Sequence, residues 1–184
     1  MPNFAANLSM MFNEVDFTER FKAAADTGFK AVEYLFPYDY SKEQLVNLLG
    51  ENDLLQVLHN LPAGDWNAGE RGIACHPDRI NEFREGVGLA AEYASALGCP
   101  QVNCLAGIKP ASVSEQTAQD TFIANLRYAA PIMEEAGVKL IIESINTIDI
   151  PGFFLNRTNQ ATELINLVSS DNLYLQHDIY HMQI

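Results

Sequence analysis

The chain has 184 residues, 48% of them apolar and 19% charged, a balance that excludes a disordered protein and suffices for one sizeable core. A formal net charge of -13 makes nucleic acid and anionic membrane surfaces poor partners, so any anionic ligand must be small and met locally. Cys75, Cys99 and Cys104 are odd in number and lack a CxxC, which argues against a disulfide framework or a thiolate zinc site; with no basic leader or long apolar stretch in MPNFAANLSMMFNE, the expected location is cytoplasmic.

Hydrophobic period and punctuation mark the elements in order. FAANL (Phe4 to Leu8) predicts a short strand. VDFTERFKAAADTGF predicts a helix with Phe17, Phe21, Ala24 and Ala25 at helical spacing, Asp16 as N-cap and Gly28 as stop. KAVEYLF is a second strand, SKEQLVNLLGEN a helix capped by Ser41 with a stripe of Leu45, Leu48 and Leu49, and LLQVLHNL (Leu54 to Leu61) a third strand. A long polar loop follows from Pro62 to Pro77. Then come the helix DRINEFREGVGLAAEYASALGC, the strand PQVNCLAG, and the long helix SVSEQTAQDTFIANLRYAAPIMEEAGV, which Pro131 breaks at most slightly. KLIIESIN is strand five, NQATELINLVS a helix, and NLYLQHD strand six.

Strands alternating with helices imply parallel pairing through right-handed crossovers. A doubly wound open sheet and a (β/α)8 barrel both fit, but the first normally carries a Gly-rich phosphate turn, and neither GxGxxG nor GxxxxGK[ST] occurs. The expected fold is α/β, a single TIM-barrel domain over residues 1–184 with about six of eight βα units present. Such a sheet leaves its outer strands unpaired, so the natural protein is expected to be longer by about two units, and a homo-oligomer is possible.

In parallel α/β folds the site is built where strands end. That rule selects Asn7, Glu33, His59, Asn60, Asn103, Glu143, His177 and Asp178. Glu143 directly follows three aliphatic residues of a buried strand, a costly position unless the carboxylate is paired, hydrogen-bonded or bound to a cation. Asp178 repeats the pattern after LYLQH, and two carboxylates on adjacent strands are half of an octahedral Mg²⁺ or Mn²⁺ site. The competing reading is structural, because strand-end carboxylates also cap the following helix or pair with Arg or Lys.

Glu33 fits hydrogen bonding in the barrel floor as well as a site, and His59 fits a core histidine equally. His181, three residues beyond Asp178, offers an imidazole to a substrate hydroxyl or carbonyl oxygen, or is simply solvated. In the loop PAGDWNAGERGIACHPD, Gly64, Gly69 and Gly72 permit a tight path, while Asp65, Trp66, Glu70 and Arg71 supply an aromatic wall and a fork for a carboxylate. A loop this long over a barrel mouth reads as a lid or a substrate contact.

Taken together, FAANLSMMF, VEYLFPYDY, GDWNAGERG, ESIN and HDIYHMQ resemble the hydroxypyruvate isomerases of the xylose-isomerase-like TIM-barrel superfamily. The resemblance implies that Glu143 is both metal ligand and acid/base residue, Asp178 a metal ligand, His181 a contact to substrate oxygens, and Arg71 a partner for the substrate carboxylate. It also implies a further polar ligand from a seventh strand and a second catalytic glutamate from an eighth. The implied reaction converts hydroxypyruvate to tartronate semialdehyde through an enediolate, with a divalent ion stabilising the charge. The alternatives are a 2-oxo-tetronate isomerase or ketose 3-epimerase of the same superfamily, a zinc phosphodiesterase of the endonuclease IV type, and a non-catalytic binding unit.

Overall fold

The protein is described, as a computed structural model, over residues 2–183. Strands β1 (Ala6–Asn7), β2 (Ala31–Glu33), β3 (Leu55–Asn60), β4 (Gln101–Asn103), β5 (Lys139–Glu143) and β6 (Leu173–Gln176) alternate with helices α1 (Phe17–Asp26), α2 (Lys42–Glu51), α3 (Ile80–Leu97), α4 (Glu115–Glu135), α5 (Thr158–Val168) and α6 (Ile179–Met182). All neighbouring strands are parallel and the sheet order is that of the sequence, β1 to β6. A doubly wound sheet reverses its order at a switch point, whereas this one never does, which is the progression of a barrel wall.

Helix boundaries follow local chemistry. Ser41 and Ser114 cap α2 and α4 by accepting from the Gln44 and Thr117 backbone N–H groups. Asp16 occupies the N-cap position of α1, but its side chain makes no capping bond, which corrects the role expected of it. Pro131 lies inside α4 without ending it. Phe122, Leu126, Ala129 and Met133 of α4 are fully buried and share one core with Phe21, Leu45, Val32, Val102, Leu140 and Ile142.

The strands are shorter than the apolar runs suggested. Tyr34, Leu61, Leu105, Ala106 and Ile145 are buried yet lie outside the strands, because extended chain at the strand ends packs into the core without continuing the ladder. No helix among the described residues is long and apolar enough to cross a membrane.

Candidate active site

Strand β5 is buried from Leu140 to Glu143, so its aliphatic run delivers a carboxylate that is only 7% exposed. Two neutral amides meet it: Gln176 Nε2 donates to Oε1 at 2.9 Å and Asn103 Nδ2 donates to Oε2 at 3.3 Å. Asn103 Nδ2 also donates to Asn60 Oδ1 at 3.1 Å, so the polar chain crosses β3, β4, β5 and β6. No Lys or Arg pairs with Glu143 or Asp178 among the described residues. Burial pushes the Glu143 carboxyl up to about 7; the Gln176 amide opposes that rise and the Asp178 carboxylate adds to it. The amides satisfy hydrogen bonds without supplying positive charge, so a proton or a cation must balance the site.

Asp178 does not end a strand. In register, Glu143 stands opposite Gln176, and β6 stops there. Asp178 is instead the N-cap of α6, where its Oδ1 accepts from the Tyr180 N–H at 2.7 Å and the His181 N–H at 3.4 Å. The structural reading and the site reading therefore coexist, since Asp178 Oδ2 is 3.8 Å from His181 Nε2. Glu143, Asp178 and His181 each bring one potential ligand atom into a group whose members lie within 4.8 Å of one another. Two convergent carboxylates without a cationic partner are a donor set that fits a hard divalent ion.

These residues line a cavity of about 410 Å³, with Asn7 and Glu33 also in its wall. Asn7 Nδ2 donates to Glu33 Oε1 at 2.8 Å across a registered β1–β2 pair. Burial raises the Glu33 carboxyl; the Asn7 amide lowers it and the Asp178 charge raises it further. His59 is buried, its Nδ1 3.4 Å from Gln56 Nε2 and its ring edge-on to Tyr38, and burial pushes its imidazole down to about 4. His177 is exposed and takes no part in the cavity wall.

The loop after β3 departs from what its composition suggested. Of Asp65, Trp66, Glu70 and Arg71, only Trp66 lines the cavity. Arg71 lies with its guanidinium carbon 4.2 Å from the Trp66 ring centroid and donates through Nη1 to the Trp66 and Glu70 carbonyls, contacts that all lie within the loop. Glu70 is bound by Arg79 and accepts from the Asp65 N–H, and Asp65 Oδ1 accepts from the Ala68 N–H. The loop is no free lid either: Ile73, Ala74 and Cys75 are core residues, and Cys75 N–H donates to the Ala106 carbonyl at 2.9 Å. Sequence reasoning assigned no role to Gln176 or Asn146, although the Asn-Thr-Ile-Asp run is a recognisable turn signal.

The sequence and the fold have known relatives. The family described as Xylose isomerase-like TIM barrel matches residues 21–184. The chain is 54% identical to the hydroxypyruvate isomerase of Escherichia coli, over all of this chain and 71% of that protein. It is 46% identical to the 2-oxo-tetronate isomerase of Cupriavidus necator, again over all of this chain and 71% of that protein. A crystal structure from Brucella melitensis described as an AP endonuclease of family 2 superposes with a TM-score of 0.97 at 44% identity, over 100% of this chain and 71% of the other. The chain belongs to the xylose isomerase-like TIM-barrel family. Within that family its place is with the isomerases.

Proposed function

We propose that the protein is a divalent-metal-dependent isomerase of a small hydroxy-oxo acid, interconverting hydroxypyruvate and tartronate semialdehyde. The observation that carries this reading is Glu143: a buried carboxylate without a cationic partner among the described residues, within 4.8 Å of groups on Asp178 and His181, at a cavity of about 410 Å³. The space suits a three- or four-carbon acid. The 54% identity to a hydroxypyruvate isomerase supports the three-carbon substrate, and the 46% identity to a 2-oxo-tetronate isomerase makes the four-carbon acid its nearest rival.

In the reaction a proton leaves C3 of hydroxypyruvate, a proton arrives at C2, and the hydroxyl hydrogen moves from O3 to O2, so atoms and charge balance. Glu143 serves the proton transfer at C3, and the transfer at C2 falls to the second glutamate that the family resemblance implies; burial that disfavours the ionised form of Glu143 offsets part of the opposite pull of a bound cation. Asn103 and Gln176 keep the Glu143 carboxylate oriented for its transfer. Mg²⁺ or Mn²⁺ bound by Glu143 and Asp178 would stabilise the negative charge of the enediolate. His181 provides a hydrogen bond to a substrate oxygen.

The test is a coupled assay of both acids with Mg²⁺ or Mn²⁺ and after chelation. Turnover of hydroxypyruvate with the higher kcat/KM, lost on chelation, is the expected result; no conversion of either acid with either ion sinks the proposal. The Brucella protein's description makes a DNA-cleaving phosphodiesterase the second reading. The net charge of -13 and a single histidine in the convergent cluster weigh against it. Abasic-site DNA should therefore remain uncut under the same conditions.

A further inference from the structure

We infer that Asn146 is a positioning residue that fixes the tautomer of His181, so that the imidazole presents its Nε2–H as a donor toward a substrate oxygen. The identity of that acceptor rests on the isomerase reading; the tautomer does not.

Asn146 lies just beyond β5, three residues past Glu143, and is 4% exposed. Its Oδ1 accepts from the Ile148 N–H at 3.0 Å and the Asp149 N–H at 2.9 Å. An atom that accepts from two backbone N–H groups must be the amide oxygen, so the hydrogen-bond network assigns the orientation of this side chain. The amide nitrogen then has both hydrogens engaged, one toward Asp149 Oδ2 at 2.9 Å and one toward His181 Nδ1 at 2.8 Å. A ring nitrogen that accepts a hydrogen bond carries no proton, which puts the His181 proton on Nε2.

Nε2 is 3.8 Å from Asp178 Oδ2, too far for a hydrogen bond, and His181 lines the cavity. The same assignment separates His181 from the two carboxylates it adjoins. With Nε2 protonated and the Nδ1 lone pair occupied by Asn146, neither nitrogen has an electron pair free for a cation. Backbone bonds hold the segment that carries Asn146: Ile145 N–H donates to the Leu155 carbonyl at 3.0 Å and Phe154 N–H to the Gly107 carbonyl at 2.8 Å. The donor is thus presented from an anchored turn, as positioning requires.

Nitrogen-15 spectra of the His181 ring, recorded on the ion-loaded protein in mildly alkaline solution, test this directly. The wild type should show a protonated Nε2 and a bare Nδ1. In Asn146→Asp, an acceptor replaces the donor while the two backbone N–H groups keep their partner, so the ring should switch to the Nδ1–H form. Its kcat should fall about tenfold or more with KM changed less than about threefold. Should a carboxylate beside Asp149 prevent folding, Asn146→Ala removes the donor without adding charge and should give a mixture of tautomers. A wild-type ring protonated on Nδ1, or a tautomer unmoved in both variants, overturns the inference. A tautomer switch with unchanged kcat removes the substrate-facing role. If neither acid is turned over, the isomerase reading fails while the spectrum still decides the tautomer.

Discussion

At the junction of β5 and α6, Glu143 and Asp178 face a cavity with no Lys or Arg beside them among the described residues, whereas in the loop after β3 Glu70 is bound by Arg79 and by the backbone of Asp65. Both regions are rich in charge and both lie at the strand ends where a barrel builds its site. They differ in what remains unsatisfied. The loop's polar groups complete one another, so its charges hold a shape; the two carboxylates are oriented by amides and a helix start that leave their charge unbalanced. Charge density alone nominates both regions, and only the inventory of partners separates them.

The sharpest way to break that contrast is Glu143→Gln, which should lower isomerase turnover by about a thousandfold in a steady-state assay. In metal-free protein the same substitution should raise stability, with a sign set by linkage. The Glu143 carboxyl rises from 4.5 to about 7 on folding, so its contribution is full below pH 4.5 and is lost as the pH climbs through about 7. The wild type should therefore lose on the order of 3 kcal/mol over that window relative to the variant, read from denaturant melts in chelator.

Gly107→Ala should cost about 2 to 3 kcal/mol in the same melts, because Gly107 has φ +98° and a Cβ there would meet the backbone of Gly72. On the loop side, Arg79→Ala should cost only about 1 kcal/mol, with kcat changed less than about twofold. The finest contrast is in titration. Carbon-13 carboxyl spectra should find Glu143 raised and Glu70 held below the usual range by its bond from Arg79. Glu70's contribution is thus present above pH 4.5 and lost on acidification, the opposite sense to Glu143.

Much of this was legible in the sequence. The strand and helix alternation gave the element order, and Glu143 was visible because a carboxylate after Leu140, Ile141 and Ile142 has few inexpensive explanations. Asp178 was legible as a cavity residue but misjudged in position: an apolar run does not announce where the ladder stops, and β6 ends two residues earlier at Gln176. Gln176 and Asn146 were missed because an amide's value depends on which partner its oxygen and nitrogen find, and those partners come from other elements. The same limit applies to Arg71 and Glu70, whose partners lie in or just beyond their own loop and cannot be read from composition.

The crossing of Gly72 over Gly107 has a mechanical meaning. Gly72 N–H donates to the Ala63 carbonyl, Cys75 N–H to Ala106, and Asn125 reaches the Ala74 carbonyl from α4, so residues 72–75 are riveted to the loop after β4 and to a helix behind it. Hydrogen exchange should divide this loop sharply, with slow amides at Gly72 and Cys75 and a fast one at Asn67. The cavity is then rimmed by a Trp66 ring that packs on Phe36 and Arg71 beside this fixed strut, and not by a door swinging on two ends.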